Sequence, residues 1–267
     1  MNINHHNLPE HFECRPTDSG ILLYDKNYIR GAKAIPALAS LPNNLDDKAA
    51  FKSRSRSMKT VWNVDAPPWC YCDMIVRQYV HGGLFGKLSG PMRQYFLDSS
   101  PMVNEVKIIV YLLRKGIKVA EPIALKLEYT AKFFVKAFLI SKKIPDTVNL
   151  LQMCRLVENG HLDITDDFQA ALFRKITHVV SDMHKTGVYH GDLNLKNLLV
   201  KKNAKTVTDE VYIIDFKKAI CMKNVGQKAG VKNIRRLWRS ILKWPESQAV
   251  LGSFGEERLI RNYNERV

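Results

Sequence analysis

The stretch that most constrains this chain lies at 187–200, where a His-Gly-Asp tripeptide at 190–192 is followed by Asn197. Further along, an Ile-Ile-Asp-Phe sequence ends an apolar run and supplies a second acid, Asp215. Phosphoryl transfer needs a carboxylate that orients an attacking hydroxyl and accepts its proton. It also needs oxygen ligands for the Mg²⁺ ions that bridge the nucleotide phosphates. The pattern therefore predicts Asp192 as the base and Asn197 and Asp215 as Mg²⁺ ligands.

A purely structural explanation competes with this one. A turn from a helix into a strand, with polar loop residues, would explain a His-x-Asp sequence on its own. The full pattern is more specific, because an asparagine follows the aspartate by five positions and an Asp-Phe pair then follows a strand-like run. We therefore favour a phosphotransferase site.

Length and charge bound the fold and the partners. The chain has 267 residues, of which 46% are hydrophobic, enough for one domain or two lobes with a sizeable core. Its net charge of +15 favours anionic partners such as nucleic acid, acidic lipid surfaces or phosphorylated substrates. Charge alone does not choose among these partners.

The cysteines and the N-terminal residues bear on location. The five cysteines are scattered, and the Cys70–Cys72 pair has no second pair to match it, so neither a zinc site nor a disulfide framework is predicted. The N-terminus has no basic region followed by an apolar core, so no signal peptide is evident. No apolar run reaches the length of a membrane span. We expect reduced thiols and a cytoplasmic protein.

Turn and helix signals indicate two lobes that meet near Pro145. We predict an N-terminal lobe at 1–143, rich in strands and with one helix around 101–115. The C-terminal lobe, at 144–267, is predicted to be helical and to carry the catalytic loop. Ser100 precedes a proline and is the predicted N-cap of the first of these helices.

The catalytic stretch is predicted to follow a long helix. Thr165 is a capping residue, the run 168–184 has helical spacing, and Gly187 ends it. Short strands at 198–200 and 211–214 are predicted after the catalytic stretch. The helix would therefore deliver the chain directly into the His-Gly-Asp tripeptide.

The segment 217–243 contains nine basic residues and no acidic one. Its apolar residues predict one face of a helix, and its basic residues predict the opposite face. The apolar set is Val231, Ile234, Leu237, Trp238, Ile241 and Leu242, and the basic set is Lys232, Arg235, Arg236, Arg239 and Lys243. Ordinary solvation explains the basic set, and contact with anionic lipid headgroups is the functional alternative.

The order of these elements resembles the protein-kinase-like fold. That resemblance implies an α+β, bilobal architecture with a β-rich N-lobe, a mainly helical C-lobe and ATP as the bound nucleotide. Protein kinases usually carry arginine where this chain has Gly191, and the arginine helps to read a phosphorylated activation loop. Glycine at this position is more usual in small-molecule kinases and their relatives.

A narrower family is visible in three segments. They are Arg-Gln-Tyr-Val-His-Gly-Gly-Leu-Phe-Gly-Lys-Leu at 77–88, Met-His with His-Gly-Asp-Leu-Asn within 183–194, and Ile-Asp-Phe-Lys-Lys-Ala at 214–219. From about Val61 to Leu242 the chain resembles the bacterial 3-deoxy-D-manno-octulosonic acid (Kdo) kinases, which belong with the lipopolysaccharide core heptose kinases.

This resemblance implies an ATP-dependent kinase with Mg²⁺ that phosphorylates the 4-hydroxyl of Kdo on a lipid A precursor. It further implies a peripheral position on the cytoplasmic face of the bacterial inner membrane. The implied partners are the Kdo-lipid A precursor and the anionic inner-membrane surface, and no nucleic-acid partner is expected. The basic surplus of the chain is compatible with an acceptor that carries phosphates and carboxylates.

The resemblance also implies roles for individual residues. His190 would buttress the catalytic loop beside the base. Arg77 stands where a protein kinase has the strand lysine that holds the α/β-phosphates, and Glu105 is its candidate helix partner. Arginine can bind phosphate through two parallel hydrogen bonds, so this replacement is physically sensible. An exposed position on its helix is the alternative for Glu105, and Lys87 is the reserve candidate for the phosphate contact.

Two departures from protein kinases concern the nucleotide side. No G-x-G-x-x-G sequence precedes Thr60, and the Ser/Arg run at 52–59 is a candidate substitute that would cover the phosphates. In addition, Asp215-Phe216 is followed by Lys217 where glycine is usual. Neither departure touches the base or the metal ligands.

Alternative functions remain at this point. The acceptor could be a protein or another small molecule such as an aminoglycoside, although Gly191 argues against the former and the basic charge against the latter. A catalytically silent pseudokinase that binds nucleotide or membrane belongs to a different class. The intact set of Asp192, Asn197 and Asp215 argues against that class.

Overall fold

A computed structural model describes residues 9–43, 61–80, 94–130, 134–201 and 210–266. The chain divides into two compact units. The first takes its described residues from Met1–Val110 and Glu121–Lys143, and the second from Tyr111–Ala120 and Ile144–Val267. The candidate site residues therefore fall into two groups, one in each unit.

Segment 111–120 belongs to the second unit, whereas the sequence analysis assigned it to the N-terminal lobe. Its hydrogen bonds explain the assignment. The Tyr111 hydroxyl donates to the carbonyl of Thr186 at 2.9 Å, and the Ile213 amide donates to the carbonyl of Lys118 at 3.0 Å. Val119 and Ile213 form a parallel bridge. These pairings join the segment to the elements that flank the catalytic stretch.

The first unit is built on a six-stranded sheet in which every neighbouring pair is antiparallel. Its strands are β1 (Phe12–Thr17), β2 (Gly20–Asp25), β3 (Val61–Val64), β4 (Met74–Gln78), β5 (Pro122–Thr130) and β6 (Phe134–Lys142). They lie in the order β1-β2-β5-β6-β4-β3. Alternate residues of β4 are buried, as expected of a strand with one face on a core. Arg77 occupies one of the intervening, partly exposed positions.

Two α-helices belong to the described part of this region, α1 (Ala34–Ser40) and α2 (Ser100–Arg114). Only the second was predicted, and the prediction of a single helix is wrong. Helix α1 has only seven residues and contains a proline, so its sequence gives little helix signal. Its Leu38 packs into the buried core of the sheet.

The predicted N-cap of α2 is also wrong, since Ser100 is already the first helical residue. Asp98 is the residue that binds the start of the helix. Its Oδ1 accepts hydrogen bonds from the amide of Ser100 at 2.9 Å and from the Ser100 hydroxyl at 2.7 Å. A carboxylate suits the positive end of a helix, and it satisfies a backbone N–H there.

The second unit is mainly helical. Its helices are α3 (Leu150–Glu158), α4 (Asp166–Lys185), α5 (Gln227–Leu242), α6 (Pro245–Leu251) and α7 (Glu256–Asn264). Its strands are β7 (Thr147–Asn149), β8 (Val188–Tyr189), β9 (Leu198–Lys201), β10 (Val211–Ile213) and β11 (Ile220–Cys221). These form one sheet of order β10-β9-β7 and one pair, β11-β8. Helix α3 packs on α6, and α7 packs on α4 and α5.

Helix α4 begins and ends as its sequence predicts. The Thr165 hydroxyl accepts a hydrogen bond from the Phe168 amide at 3.1 Å, and Gly187 follows the last turn with a positive φ of 84°. The strand that follows, β8, pairs with β11, and the next two predicted strands, β9 and β10, pair with each other. The catalytic stretch therefore runs between two small strand pairs.

A buried histidine joins α4, α5 and α7. Its Nε2 lies 3.0 Å from the Asn233 Oδ1 and its Nδ1 lies 2.8 Å from the Tyr263 hydroxyl, so His184 donates to the first and accepts from the second. Burial lowers the pKa of His184 to about 4, which keeps the ring neutral. Gly230 is needed beside this cluster, because a Cβ there would lie 1.9 Å from the Tyr263 hydroxyl oxygen. These contacts anchor the helix that precedes the catalytic stretch.

Candidate active site

The backbone of the catalytic loop is fixed by its own asparagines. Both Asn194 and Asn197 donate from their amide nitrogens to the carbonyl oxygen of Asp192, at 2.8 and 3.0 Å. A short 3₁₀-helix, Leu195–Asn197, follows, and the Asn194 side chain caps it by accepting from the Lys196 amide. The spacing of five positions therefore lets the side chain of Asn197 hydrogen-bond to the backbone of Asp192.

His190 is fully buried behind this loop. Its Nε2 donates to the carbonyl of Ile214 at 3.0 Å, and its Nδ1 accepts from the amide of Asp192 at 3.2 Å. The ring also packs against Phe216, with centroids 5.0 Å apart. Burial lowers the pKa of His190, and the neutral ring can make both hydrogen bonds at once. The residue links the His-Gly-Asp and Asp-Phe segments, and its buttressing role stays a prediction.

Gly191 has a local structural reason. Its φ is +69°, in the left-handed region that favours glycine, and a Cβ there would lie 2.1 Å from the carbonyl oxygen of Lys218. A residue with a Cβ would fit here only if the backbone of Lys218 moved. The absence of arginine at this position, which the sequence analysis treated as a family trait, thus follows from close backbone packing.

The Asp192 carboxylate is held by two cations. Arg236 donates from Nη2 to Oδ1 at 2.6 Å, and Lys218 donates from Nζ to Oδ2 at 2.9 Å. The Asp192 side chain is 29% exposed. Burial would raise the pKa of this carboxyl, but the hydrogen bonds from Lys218 and Arg236 outweigh burial and hold the pKa below its ordinary value. The carboxylate is therefore ionised at neutral pH and still open to a ligand.

Asn197 and Asp215 lie on segments that meet through the backbone. The amide of Ile214, the residue before Asp215, donates to the carbonyl of Asn197 at 3.0 Å. Asp215 has a positive φ of 66°, a conformation that aspartate tolerates better than most residues. The amide nitrogen of Asn197 is used on Asp192, and its oxygen is the atom suited to a cation.

A metal at this place would need further oxygen ligands. Within the described residues, no group of three or more His, Cys, Asp or Glu side chains could hold a metal ion. Mg²⁺ is commonly held by one or two protein oxygens together with substrate phosphates and water. The pair of Asn197 and Asp215 fits that kind of site, and the assignment stays a prediction.

The first unit contains the Arg77–Glu105 pair. Glu105, on α2, is fully buried and accepts from Arg77 Nη2 at 2.6 Å and from the Tyr79 hydroxyl at 2.6 Å. The Arg77 guanidinium also lies over the Tyr79 ring, 4.7 Å from its centroid. Glu105 is thus not an exposed helix residue, the alternative that the sequence left open. Lys87 lies outside the described residues.

Sequence reasoning missed two partners of Asp192. Arg236 was assigned to the solvated face of the helix, and Lys218 had no assigned role. Arg236 is next to Leu237 at the border of the buried face of α5. This position is the only sequence feature that suggested a contact with the protein interior. At the end of the helix, Leu242 was placed on the apolar face with the buried residues, and it is 46% exposed.

The fold can now be compared with solved structures. The structure of WaaP in complex with acyl carrier protein is similar over 82% of this chain and 78% of that chain, with a TM-score of 0.50 and 17% identity. At this identity the likeness concerns the fold alone. The chain has the α+β, protein-kinase-like fold, with a β-sheet N-terminal region and a helical C-terminal region, and the predicted fold class is confirmed.

Sequence comparison narrows the class to a family. Residues 50–263 match the lipopolysaccharide kinase (Kdo/WaaP) family. A 3-deoxy-D-manno-octulosonic acid kinase of Vibrio cholerae serotype O1 is 30% identical over 192 residues, which are 68% of this chain and 74% of that protein. The kinase of the same name from Vibrio parahaemolyticus is 31% identical over 175 residues, 63% of this chain and 64% of that protein. The chain belongs to the lipopolysaccharide kinase (Kdo/WaaP) family, as its motifs predicted, and it is a kinase that uses ATP.

Proposed function

We propose that this kinase transfers the γ-phosphoryl group of ATP to the 4-hydroxyl of Kdo on a Kdo-lipid A precursor, in lipopolysaccharide core biosynthesis. Family membership and the names of its curated relatives support the choice of acceptor. One observation supports the chemistry above all. The Asp192 carboxylate is kept ionised by two neighbouring cations, and it is still partly exposed to a ligand. An alcohol acceptor needs such a group, because its proton must leave as the new bond forms.

The proposed step uses Asp192 as the proton acceptor. The acceptor oxygen bonds to the γ-phosphorus, the bond from that phosphorus to the bridging oxygen of ADP breaks, and the hydroxyl proton passes to Asp192. A carboxylate with a lowered pKa is a weak base, so its main contribution is to orient the hydroxyl and to receive the proton late. Arg236 and Lys218 keep the carboxylate in one position while this happens.

On the nucleotide side, we assign the α/β-phosphate contact to Arg77. Its guanidinium is oriented by Glu105 and Tyr79, so little conformational entropy is left to lose on binding. Asn197 and Asp215 would hold Mg²⁺, whose positive charge would offset the negative charge of the nucleotide phosphates. His190 positions the loop and does not touch the reacting atoms.

We also propose that the protein works at the cytoplasmic face of the bacterial inner membrane, bound peripherally to its anionic surface. The support is the net charge of +15 and the run of nine basic residues at 217–243. Lys232 and Arg235 are exposed on α5 within that run. In the described part of the chain, no helix is both long and apolar enough to cross a bilayer. Sedimentation with anionic but not zwitterionic vesicles, weakened by salt, is the expected result.

The function is tested with purified protein, ATP, Mg²⁺ and a Kdo-lipid A acceptor. Mass spectrometry should find one added phosphate on the Kdo, and NMR of the product should place it on the 4-hydroxyl. Asp192→Asn is the matched inactive control. Phosphate at another hydroxyl would correct the position alone. Transfer to a protein or a different small molecule would refute the acceptor, and Mg·ATP binding without any transfer would indicate a pseudokinase.

A further inference from the structure

A cavity of about 450 Å³ opens beside the catalytic carboxylate within the helical unit. Asp192 lies on one wall, and Ser240 and the aromatic ring of Trp244 lie on another. Sites of this size accept small molecules such as a monosaccharide unit. Because the proposed base itself lines the cavity, a molecule bound there has its hydroxyl groups next to the proton acceptor.

The remaining lining is strongly basic. Lys196 comes from the catalytic loop, and Arg239 and Lys243 come from the end of α5. Arg236 also lines the cavity, but its charge is used on Asp192. In the described ranges of the chain, no carboxylate forms an ion pair with Lys196, Arg239 or Lys243. Three positive charges therefore line the cavity without a carboxylate partner among the residues that the structure describes.

Lys196 shows the effect of this excess charge. Its ammonium lies 4.5 Å from the centroid of the Trp244 ring, and the Lys243 ammonium lies 5.7 Å from the same centroid. The two ammonium groups are therefore gathered at one ring and repel each other. An anion in the cavity would relieve the repulsion.

The walls of the cavity are joined to each other. The amide of Leu195, in the catalytic loop, donates to the Ser240 hydroxyl on α5 at 3.0 Å. The Arg236–Asp192 ion pair makes a second link between the same loop and the same helix. The helix that carries Arg239 is thus held against the loop that carries the catalytic carboxylate, as a specificity site needs.

We propose that this cavity is the acceptor subsite and that Arg239 and Lys243 bind the carboxylate of the acidic sugar that is phosphorylated. The proposal rests on the proposed function and adds the group by which the sugar is recognised. The Trp244 ring lines the cavity beside the sugar, and the cations bind the sugar carboxylate near the reacting hydroxyl. A neutral sugar lacks these charge-assisted hydrogen bonds and binds more weakly.

The test compares two double variants with the same loss of charge. Arg239→Gln with Lys243→Gln alters the subsite, and Arg174→Gln with Lys185→Gln alters two exposed positions on α4. The acceptor is dispersed in neutral detergent, so that membrane attachment does not enter. It is used intact, as the methyl ester of its sugar carboxylate, and with the lipid A phosphates removed. Initial rates and equilibrium titrations are measured with each form.

We expect the subsite variant to raise the KM for the intact acceptor at least about tenfold, because charge-assisted hydrogen bonds are lost. The KM for ATP should stay unchanged, and the α4 variant should match the unaltered protein. The methyl ester should bind the unaltered protein as weakly as the intact acceptor binds the subsite variant, with no further loss when both changes are combined. Removal of the lipid phosphates should leave the effect of the subsite variant intact.

Two results would overturn the inference while leaving the proposed function standing. One is a subsite variant with the kinetics of the α4 variant. The other is an effect that persists with the methyl ester and disappears with the dephosphorylated acceptor, since the bound anion would then be a phosphate. If the unaltered protein transfers no phosphate to any acceptor, the proposed function fails. The titrations then decide the inference separately, by whether binding depends on the carboxylate and on Arg239 and Lys243.

Discussion

Each unit of the molecule holds an ion-paired carboxylate, and the two differ in burial and in partners. Glu105 in the first unit is fully buried, and its partners include the Arg77 guanidinium and the neutral hydroxyl of Tyr79. Asp192 in the second unit is 29% exposed and accepts from two cations, Lys218 and Arg236. The distances are alike, at 2.6 to 2.9 Å, so geometry alone does not distinguish the two.

The difference indicates opposite roles. A buried carboxylate has lost its hydration and is stable only while hydrogen-bond partners replace it. Glu105 therefore holds Arg77 in place, and breaking this ion pair would cost several kcal/mol. A partly exposed carboxylate with surplus positive charge around it stays ionised and can exchange a contact for a substrate hydroxyl. We expect the first pair to matter for stability and the second to matter for catalysis.

The largest predicted effect is on turnover. Asp192→Asn removes the proton acceptor while keeping the size of the side chain, so kcat should fall by about 10²- to 10⁴-fold. Stability should change by less than about 1 kcal/mol, because the Lys218 and Arg236 side chains are 62% and 40% exposed and can be solvated. Phosphoryl-transfer rates and urea unfolding measure the two quantities. Lys223→Gln, an exposed change in the same unit, is the control.

The contrast between Asp192 and Glu105 would fail if Asp192→Asn unfolded readily. A loss of several kcal/mol would mean that the catalytic ion pairs hold the helical unit together, as the buried pair is argued to do for the sheet unit. Unchanged turnover in a stable variant would instead remove Asp192 from the mechanism.

The second prediction concerns the buried pair. Glu105→Gln should lower the free energy of unfolding by about 3 kcal/mol, because the Arg77 side chain is only 24% exposed and loses a charged partner. The KM for ATP should rise as well, since Arg77 is no longer held in one orientation. Urea unfolding and ATP titration are the measurements.

Glu10→Gln is the matched control, an exposed glutamate in the same unit. It should change neither quantity. If Glu105→Gln were as stable as Glu10→Gln, burial would not be what separates Glu105 from Asp192.

The sequence predicted those parts of the site that depend on contiguous residues. His190, Asp192 and Asn197 hydrogen-bond to one another within eight positions, so their spacing carries the geometry. Asp215 was predicted as a Mg²⁺ ligand because it ends an apolar run and precedes Phe216, and that role stays a prediction. Helix α4 followed from its cap and its ending glycine.

What the sequence did not predict depends on distant contacts. Arg236 lies 44 positions from Asp192, and helical periodicity placed it with its solvated neighbours. The cavity beside Asp192 has the same origin, because Ser240 and Trp244 reach the catalytic loop only through the packing of α5. Segment 111–120 likewise belongs to the second unit through a distant contact, the bridge between Val119 and Ile213.

The smallest predicted effect sharpens the role of the two cations. Arg236 favours the ionised form of Asp192, so Arg236→Gln favours the protonated form and raises the pKa of that carboxyl. Because the proton acceptor must be ionised, the acid limb of the kcat/KM profile should move to higher pH. Arg235→Gln is the control, since Arg235 is the neighbouring residue and pairs with Glu256 instead. A limb that stays in place in Arg236→Gln, or that moves equally in both variants, would show that Arg236 supports the helix and does not tune the base.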